Sequence, residues 1–290
     1  MLTIVASMQR ELSGLEQALN RNLGPGHGQA LCVIGIGPGR AAEGLTGLLA
    51  SPSSRAASGS GTRLPVLLLG FAGALSPDLN AGDLILASAY HRQPATAAQG
   101  QPPGSLSPDP GMMRLAARAA EAAGLAVNNG PALTVDALVR EPAEKRRLHQ
   151  NSPVDPRTPV EPVTSVNMED HAVAEVAAQA GAAFLSARVV LDTSEQRLPG
   201  YLIGLTGSGP HAAASTLIRH WRIPMLLSLA FRMRRAQNTL CRFGLAFIQQ
   251  FEEFGDLVEQ GAPDSTGERP SDSLQPSQRS AQKLSGAVGA

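Results

Sequence analysis

The segment Leu64-Pro65-Val66-Leu67-Leu68-Leu69 constrains this chain more than any other. Successive strand side chains point to opposite faces of a sheet, so a strand with one wet face alternates apolar and polar residues. An unbroken apolar run of strand length needs cover on both faces, as in a sheet clad with helices on either side. Similar apolar runs recur at Leu2–Ser7, Leu31–Ile36, Leu84–Tyr90, Ala132–Val135, Val163–Asn167 and Phe184–Leu191, each read as a strand. Between them lie helical patterns: about Arg10 to Leu19, an Ala/Leu run from the Gly37-Pro38-Gly39 break to about Ala50, and Met112–Ala123 closed by Gly124. A helical turn is read over Pro142–Gln150, and a helix over Glu169–Ala180 capped by Gly181. Gly70-Phe71-Ala72-Gly73-Ala74-Leu75 reads as a glycine-broken turn, and residues 51–62 and 93–110 as surface loops. The alternation predicts a three-layer α/β sandwich around a central mixed, largely parallel sheet.

The chain has 290 residues, 43% of them hydrophobic and 17% charged, which provides for one large core and a tail. We divide it into a domain over 1–199, a basic amphipathic helical extension over 200–254, and a Ser/Gln/Gly/Pro-rich tail over 255–290 expected to be disordered. A formal net charge of zero and an aromatic content of 3% argue against a nucleic-acid binder, which needs basic surface and stacking platforms. Cys32 and Cys241 lie far apart in apolar stretches and read as buried free thiols of a reducing compartment. The N-terminus lacks the basic and long apolar regions of a signal peptide, and no run reaches transmembrane length. A cytoplasmic protein is expected.

Three acids stand where buried strands run out: Glu11, Glu169 and Asp192. Strand ends of open α/β sheets are where ligands sit, so parallel neighbouring strands would bring the three carboxylates into one crevice. Such a cleft repels polyanions and suits a hydroxylated neutral substrate, with one acid for sugar hydroxyls, one for water and one for a leaving group. The plainer alternatives are an exposed first-turn residue for Glu11, a helix-dipole partner for Glu169 and an N-cap for Asp192. Gly35-Ile36-Gly37-Pro38-Gly39-Arg40 joins strand to helix and can offer backbone N–H groups to an anion or a ribose, or serve only as a tight turn. It fits neither a dinucleotide fingerprint nor a Walker A loop.

From Gln196 to Phe251 the chain carries seven arginines and no acid. Leu229, Met233, Ala236, Leu240, Phe243 and Phe247 fall on one helical face. A basic amphipathic helix of this kind either lies on an anionic membrane or partner, over residues 219–248, or packs into the core with its arginines in water.

In this order the motifs resemble the nucleoside phosphorylase/nucleosidase superfamily, whose best-known hydrolytic members cleave methylthioadenosine and S-adenosylhomocysteine. Ile4–Glu11 resembles its N-terminal strand and acidic turn, and Ile34-Gly35-Ile36-Gly37 its Gly-Ile-Gly-Lys loop. Gly70–Leu75 with Asp78 and Gly82-Asp83 is similar to its Gly-Ser-Ala-Gly-Gly-Leu…Gly-Asp segment, and Asp136-Ala137-Leu138-Val139 to a segment that packs on the base. Val166-Asn167-Met168-Glu169 resembles its ribose-binding Val-Glu-Met-Glu turn, and Ala187–Asp192 its Val-Arg-Ala-Ile-Ser-Asp strand. The resemblance implies dissociative cleavage of an N-ribosidic bond. Asp192 would protonate the purine, Glu11 activate water, Glu169 hold the ribose hydroxyls and Met168 pack under the sugar. Leu138, Val139, Phe71, Ala72 and Gly73 would surround the base. Gly37, Arg40 and Arg188 would hold phosphate if phosphate were the co-substrate; Arg188 equally reads as a structural ion-pair partner. No metal or cofactor is implied, and a homodimer is. Phe71 stands where the family has a small polar residue and Leu138 where it has an aromatic, which alters the base pocket. His171 reads as a supporting residue.

The Arg/Leu-rich extension also resembles the hopanoid-biosynthesis-associated branch, which implies adenosylhopane as substrate and contact with the inner membrane face. A methylthioadenosine/S-adenosylhomocysteine-type nucleosidase is the second reading, and a non-catalytic nucleoside-binding module the third.

Overall fold

The computed structural model describes residues 2–23, 30–51, 63–93, 104–150, 161–198 and 223–260. Its elements run β1 (Thr3–Ala6), α1 (Gln9–Leu23), β2 (Ala30–Val33), α2 (Pro38–Leu49), β3 (Pro65–Ala74) and β4 (Leu84–Arg92). They continue as α3 (Pro110–Ala122), β5 (Val127–Thr134), α4 (Pro142–Gln150), β6 (Ser165–Asn167), α5 (Asp170–Gln179), β7 (Ala183–Asp192) and α6 (Ile223–Gln260).

β3 is the axle of the sheet. It pairs in parallel with β1 on one side and β7 on the other, and antiparallel with β6 through Gly73 and Ala74. β7 pairs antiparallel with β4, β4 parallel with β5, and β5 parallel with β6. Strands β3, β7, β4, β5 and β6 thus close a ring, from which β1 and β2 extend as a parallel wing. The sheet is mixed and largely parallel, as expected. Its closure is not visible in the sequence.

The apolarity of β3 has the predicted cause. Leu67, Leu69 and Phe71 enter a core shared with α1, α3 and α6, whereas Val66 and Leu68 enter a second core under α2 and α5. Every residue from Val66 to Ala72 is buried.

Several expectations change. Gly70–Leu75 is not a turn, because β3 runs through it to Ala74. Its glycines give room to buried side chains: a Cβ on Gly70 would lie 2.2 Å from Arg188 Nη1, and one on Gly73 would lie 3.2 Å from Val166 Cγ1. β5 starts at Val127, ahead of the predicted Ala132, because Leu84 and Ile85 of β4 pair with Val127 and Asn128. β2 stops at Val33. Both cysteines are free and half-buried, not buried.

The apolar stripe of α6 faces inward. Phe243 and Phe247 have no exposed surface, and Leu229, Ala236 and Leu240 are buried with them. α6 packs on α1 and α3 and covers β3 and β7, so the core-packing reading describes it. Filling a core of this kind is worth roughly 1.5–3 kcal/mol per large side chain. The helix continues past Gly255 to Gln260. The loop over 52–62, most of the loop read at 93–110, residues 199–222 and the tail from 261 lie outside the described residues.

Candidate active site

The C-terminal half of β3 gathers the candidate residues. Glu11 lies in the first turn of α1, and only 3% of its surface is exposed. Its Oε2 accepts from the Met8 N–H at 2.9 Å and its Oε1 from the Phe71 N–H at 2.9 Å. Burial pushes its pKa from 4.5 up to about 7, with Arg188 pulling it down and Glu169 adding to the rise. A carboxylate titrating near neutrality is poised to take a proton.

Glu169 reaches the same place by a route the sequence does not reveal. β6 is antiparallel to β3, so the chain leaving β6 travels back along β3 from Gly73 toward Phe71. Glu11 follows, and Asp192 ends, a strand parallel to β3, as the sequence reading supposed, whereas Glu169 is brought in by an antiparallel neighbour. Glu169 Oε1 accepts from the Gly37 N–H at 3.0 Å, and Oε2 accepts from Arg188 Nη2 at 3.2 Å. Gly37 holds a φ of 87°, a left-handed conformation that glycine adopts freely and that aims this N–H at the carboxylate. Asn167 braces the turn, its Oδ1 accepting from the backbone N–H groups of Glu169 and Asp170 and from the Thr134 hydroxyl.

Arg188 is the buried hub. It donates to Glu169, to Asp170 Oδ1 through Nε at 2.9 Å and Nη2 at 2.6 Å, and to the Phe71 carbonyl at 3.3 Å. Burial opposes its charge, and Asp170, Glu169 and Glu11 more than offset that, holding the guanidinium firmly protonated. Asp170 is fully buried and also accepts from Ser186 Oγ and Asn167 Nδ2, each at 2.7 Å.

Asp192 closes β7 opposite Gly73 in the β3 register. It is buried and paired with the ammonium of Lys145, itself without exposed surface. Burial raises the Asp192 pKa, while Lys145 and then Arg232 pull it down. Lys145 Nζ also donates to the carbonyls of Thr193 at 2.6 Å and Gln196 at 3.0 Å. Asp192 is thus an ion-pair partner and not a helix N-cap. It shares a cavity of about 40 Å³ with Gly73, Leu138, Val139, Met168 and Leu198. Small-molecule sites usually exceed a few hundred Å³, so a bound nucleoside has to displace part of this lining.

The structure therefore groups Glu11, Glu169 and Arg188 at Phe71, and Asp192, Met168, Leu138 and Val139 around Gly73. Phe71 serves the first group through its backbone; its side chain lies in the helix-covered core and is no base-stacking platform. Ala72 is buried between the two groups. The proposed phosphate cradle is not assembled: the Gly37 N–H serves Glu169, Arg188 is engaged by carboxylates, and Arg40 is exposed. His171 is buried behind the site, its backbone N–H on Thr134 Oγ1 and its Nε2 3.2 Å from the Gly104 carbonyl.

Sequence reading missed Lys145 and Asp170. A signal for Lys145 existed, since the chain has only two lysines, Lys145 and Lys283, and otherwise uses arginine. Asp170 could have been found from Ser186 and Arg188, polar residues two apart on one face of a buried strand. A larger cavity of about 310 Å³, between Arg63, Asp109 and Phe184, lies at the opposite end of β3 and β7 and contains none of the candidate acids. Among the described residues no group of three or more His, Cys, Asp or Glu is arranged to hold a metal ion.

Comparison with known proteins adds a family and a set of folds. A family model described as the Phosphorylase superfamily matches residues 26–200. No curated protein matches the sequence. Among solved structures, futalosine hydrolase of Helicobacter pylori superposes with a TM-score of 0.61 at 16% identity, covering 86% of this chain and 97% of that one. The 5′-methylthioadenosine/S-adenosylhomocysteine nucleosidase of Helicobacter pylori, complexed with butyl-thio-DADMe-Immucillin-A, superposes with a TM-score of 0.61 at 17% identity over the same shares. The enzyme of that name from Neisseria meningitidis, in complex with methylthio-immucillin-A, gives 0.60 at 17% identity, covering 86% and 98%.

Proposed function

This chain belongs to the phosphorylase superfamily and is an enzyme of nucleosidase/phosphorylase type; from that premise we propose that it hydrolyses the N-ribosidic bond of a 5′-substituted adenosine and releases adenine. The observation that carries the reading is the pairing of two carboxylates at one end of a shared strand segment with a third, buried acid beside a small cavity a few residues on.

Glu11, titrating near neutrality, orients water and takes its proton. Glu169 keeps lone pairs for ribose hydroxyls while Arg188 and Gly37 fix its orientation. Asp192 donates to N7 of the purine, so that the base leaves neutral as cationic character grows on the sugar. Met168, within 4 Å of where a Gly37 side chain would start, packs against the sugar from the same turn. Water is favoured over phosphate because an arriving phosphate would find Arg188 already neutralised and would face Glu11 and Glu169. The enzyme acts without metal or cofactor, as a homodimer, in the cytoplasm; these three statements rest on the family resemblance and on the sequence.

The finer substrate reading, adenosylhopane, rests on the Arg/Leu-rich character of residues 200–254. The apolar face of α6 is spent on the core; among its described side chains Phe231, with neighbouring arginines, and Phe254 remain exposed to meet a lipid surface. No helix among the described residues is long and apolar enough to cross a membrane. Soluble 5′-thio-substituted adenosines are the runner-up.

Adenine release measured on soluble and lipid-linked 5′-substituted adenosines, with the parent and with Asp192→Asn, tests the proposal. Release by the parent and a loss of roughly 10²–10⁴-fold in the variant are expected. No release by the parent from any of these nucleosides would favour a non-catalytic binding module instead.

A further inference from the structure

Lys145 is the least expected residue of the site. It sits in α4, 47 residues from Asp192 in sequence, with no exposed surface. Fully buried lysines are rare because removing the ammonium from water is costly unless partners replace the solvent. Here they do: Nζ meets Asp192 Oδ2, the Thr193 carbonyl and the Gln196 carbonyl, one acceptor for each of three protons. A neutral amine could not donate to all three, so the arrangement fits the ammonium form. No described residue donates a hydrogen bond to Asp192 Oδ1. Among the described residues the carboxyl is thus held on one oxygen, and the residue lines the cavity between Gly73 and Met168.

We infer that Lys145 is the positioning residue of the leaving-group acid. Its ammonium grips Oδ2 of Asp192, leaves Oδ1 to meet the purine, and stabilises the carboxylate that remains once the proton has gone. The inference rests on the reading of Asp192 as that acid. In the step itself, Oδ1–H passes its proton to N7 while the C1′–N9 pair moves onto the base; Lys145 keeps all three protons, and water restores the proton of Asp192. A cation on the distal oxygen makes the acid stronger during proton transfer. The same ammonium ties down the 193–196 segment, so one side chain sets both the direction and the strength of the acid.

Among the described residues the charged groups acting on Asp192 are Lys145 from α4 and Arg232 from α6. Removing Lys145 takes away the larger of the two influences that favour the ionised form. Asp192 would then stay protonated to higher pH and give its proton up less readily. In Lys145→Gln, the alkaline limb of the kcat/KM profile for adenine release should therefore move up by roughly 1–3 pH units, with a lower plateau. Lys145→Arg keeps the charge and should leave the limb near that of the parent. A purely structural role would depress the whole profile without moving the limb, and that outcome in a folded Lys145→Gln protein overturns the inference. So does a shift in Lys145→Arg as large as in Lys145→Gln.

Should Lys145→Gln not fold, nitrogen-15 spectroscopy of the lysine-labelled parent supplies a reading that needs no neutral variant, since only Lys283 accompanies Lys145. The ammonium form at pH 7, assigned by its loss in Lys145→Arg, is expected, and a neutral amine refutes the proposal. A parent that releases no adenine sinks the functional reading and reduces Lys145 to an ion-pair partner, whereas an active parent with an unmoved limb sinks this inference alone.

Discussion

A Cβ on Gly70 would stand 2.2 Å from Arg188 Nη1 and 2.9 Å from Glu11 Oε1, and neither side chain has solvent to retreat into. Gly70→Ala should therefore cost about 1–3 kcal/mol in thermal or denaturant unfolding and disturb Glu11 as well. Gly39→Ala, where a Cβ meets nothing within 4 Å and the backbone is helical, should be neutral or stabilising. Equal costs at the two positions would remove Gly70 from the site. Glu11 gives a prediction with a sign. The base works ionised and its pKa stands near 7, so kcat/KM should rise with pH through that region, and Glu11→Gln should lower the rate and erase the limb. The folded state holds this proton more tightly than the unfolded chain, whose value is about 4.5, so native stability should fall as pH rises from about 4.5 to about 7. Urea titrations of parent and Glu11→Gln across that window should differ in slope; parallel curves would show that Glu11 is not the group titrating there. Glu11, Glu169 and Asp192 could be singled out from sequence because acids at strand ends are conspicuous. Their partners leave fainter traces: Lys145 stands out only as one of two lysines, and an ion pair between α4 and the end of β7 has no local spacing that names the acid it meets.

Periodicity identified most elements and misread those where packing overrules it. The apolar stripe of α6 is plain in the sequence, but a stripe does not say what covers it; the contacts with α1 and α3 do. Phe247→Ala should cost about 3–5 kcal/mol, whereas Phe231→Ala, at a residue 70% exposed, should lie within about 0.5 kcal/mol of the parent. Similar small effects from both would return the stripe to the role of a docking surface. β3 shows the opposite failure. Gly70 and Gly73 resemble turn punctuation, yet they lie within a ten-residue strand because buried ions press on it. β6, at three residues, is too short to have a detectable period, and its antiparallel pairing with β3 is what returns Glu169 to Glu11.

For the molecule as a whole, fold class followed from apolar runs that demand two covered faces, whereas ring closure depends on β3–β6 and β4–β7 pairings that no local pattern encodes. The net charge of zero conceals a segregated interior in which Glu11, Glu169, Asp170 and Asp192 share a sheet end with Arg188 and Lys145. That arrangement predicts water as the nucleophile. The decisive measurement is cleavage of a 5′-substituted adenosine in phosphate-free buffer made with oxygen-18-labelled water, with the sugar product read by mass spectrometry. Adenine together with a free 5′-substituted ribose carrying one labelled oxygen is the predicted result. Unlabelled sugar, or adenine formed only when phosphate is added and then with a ribose 1-phosphate, would contradict it.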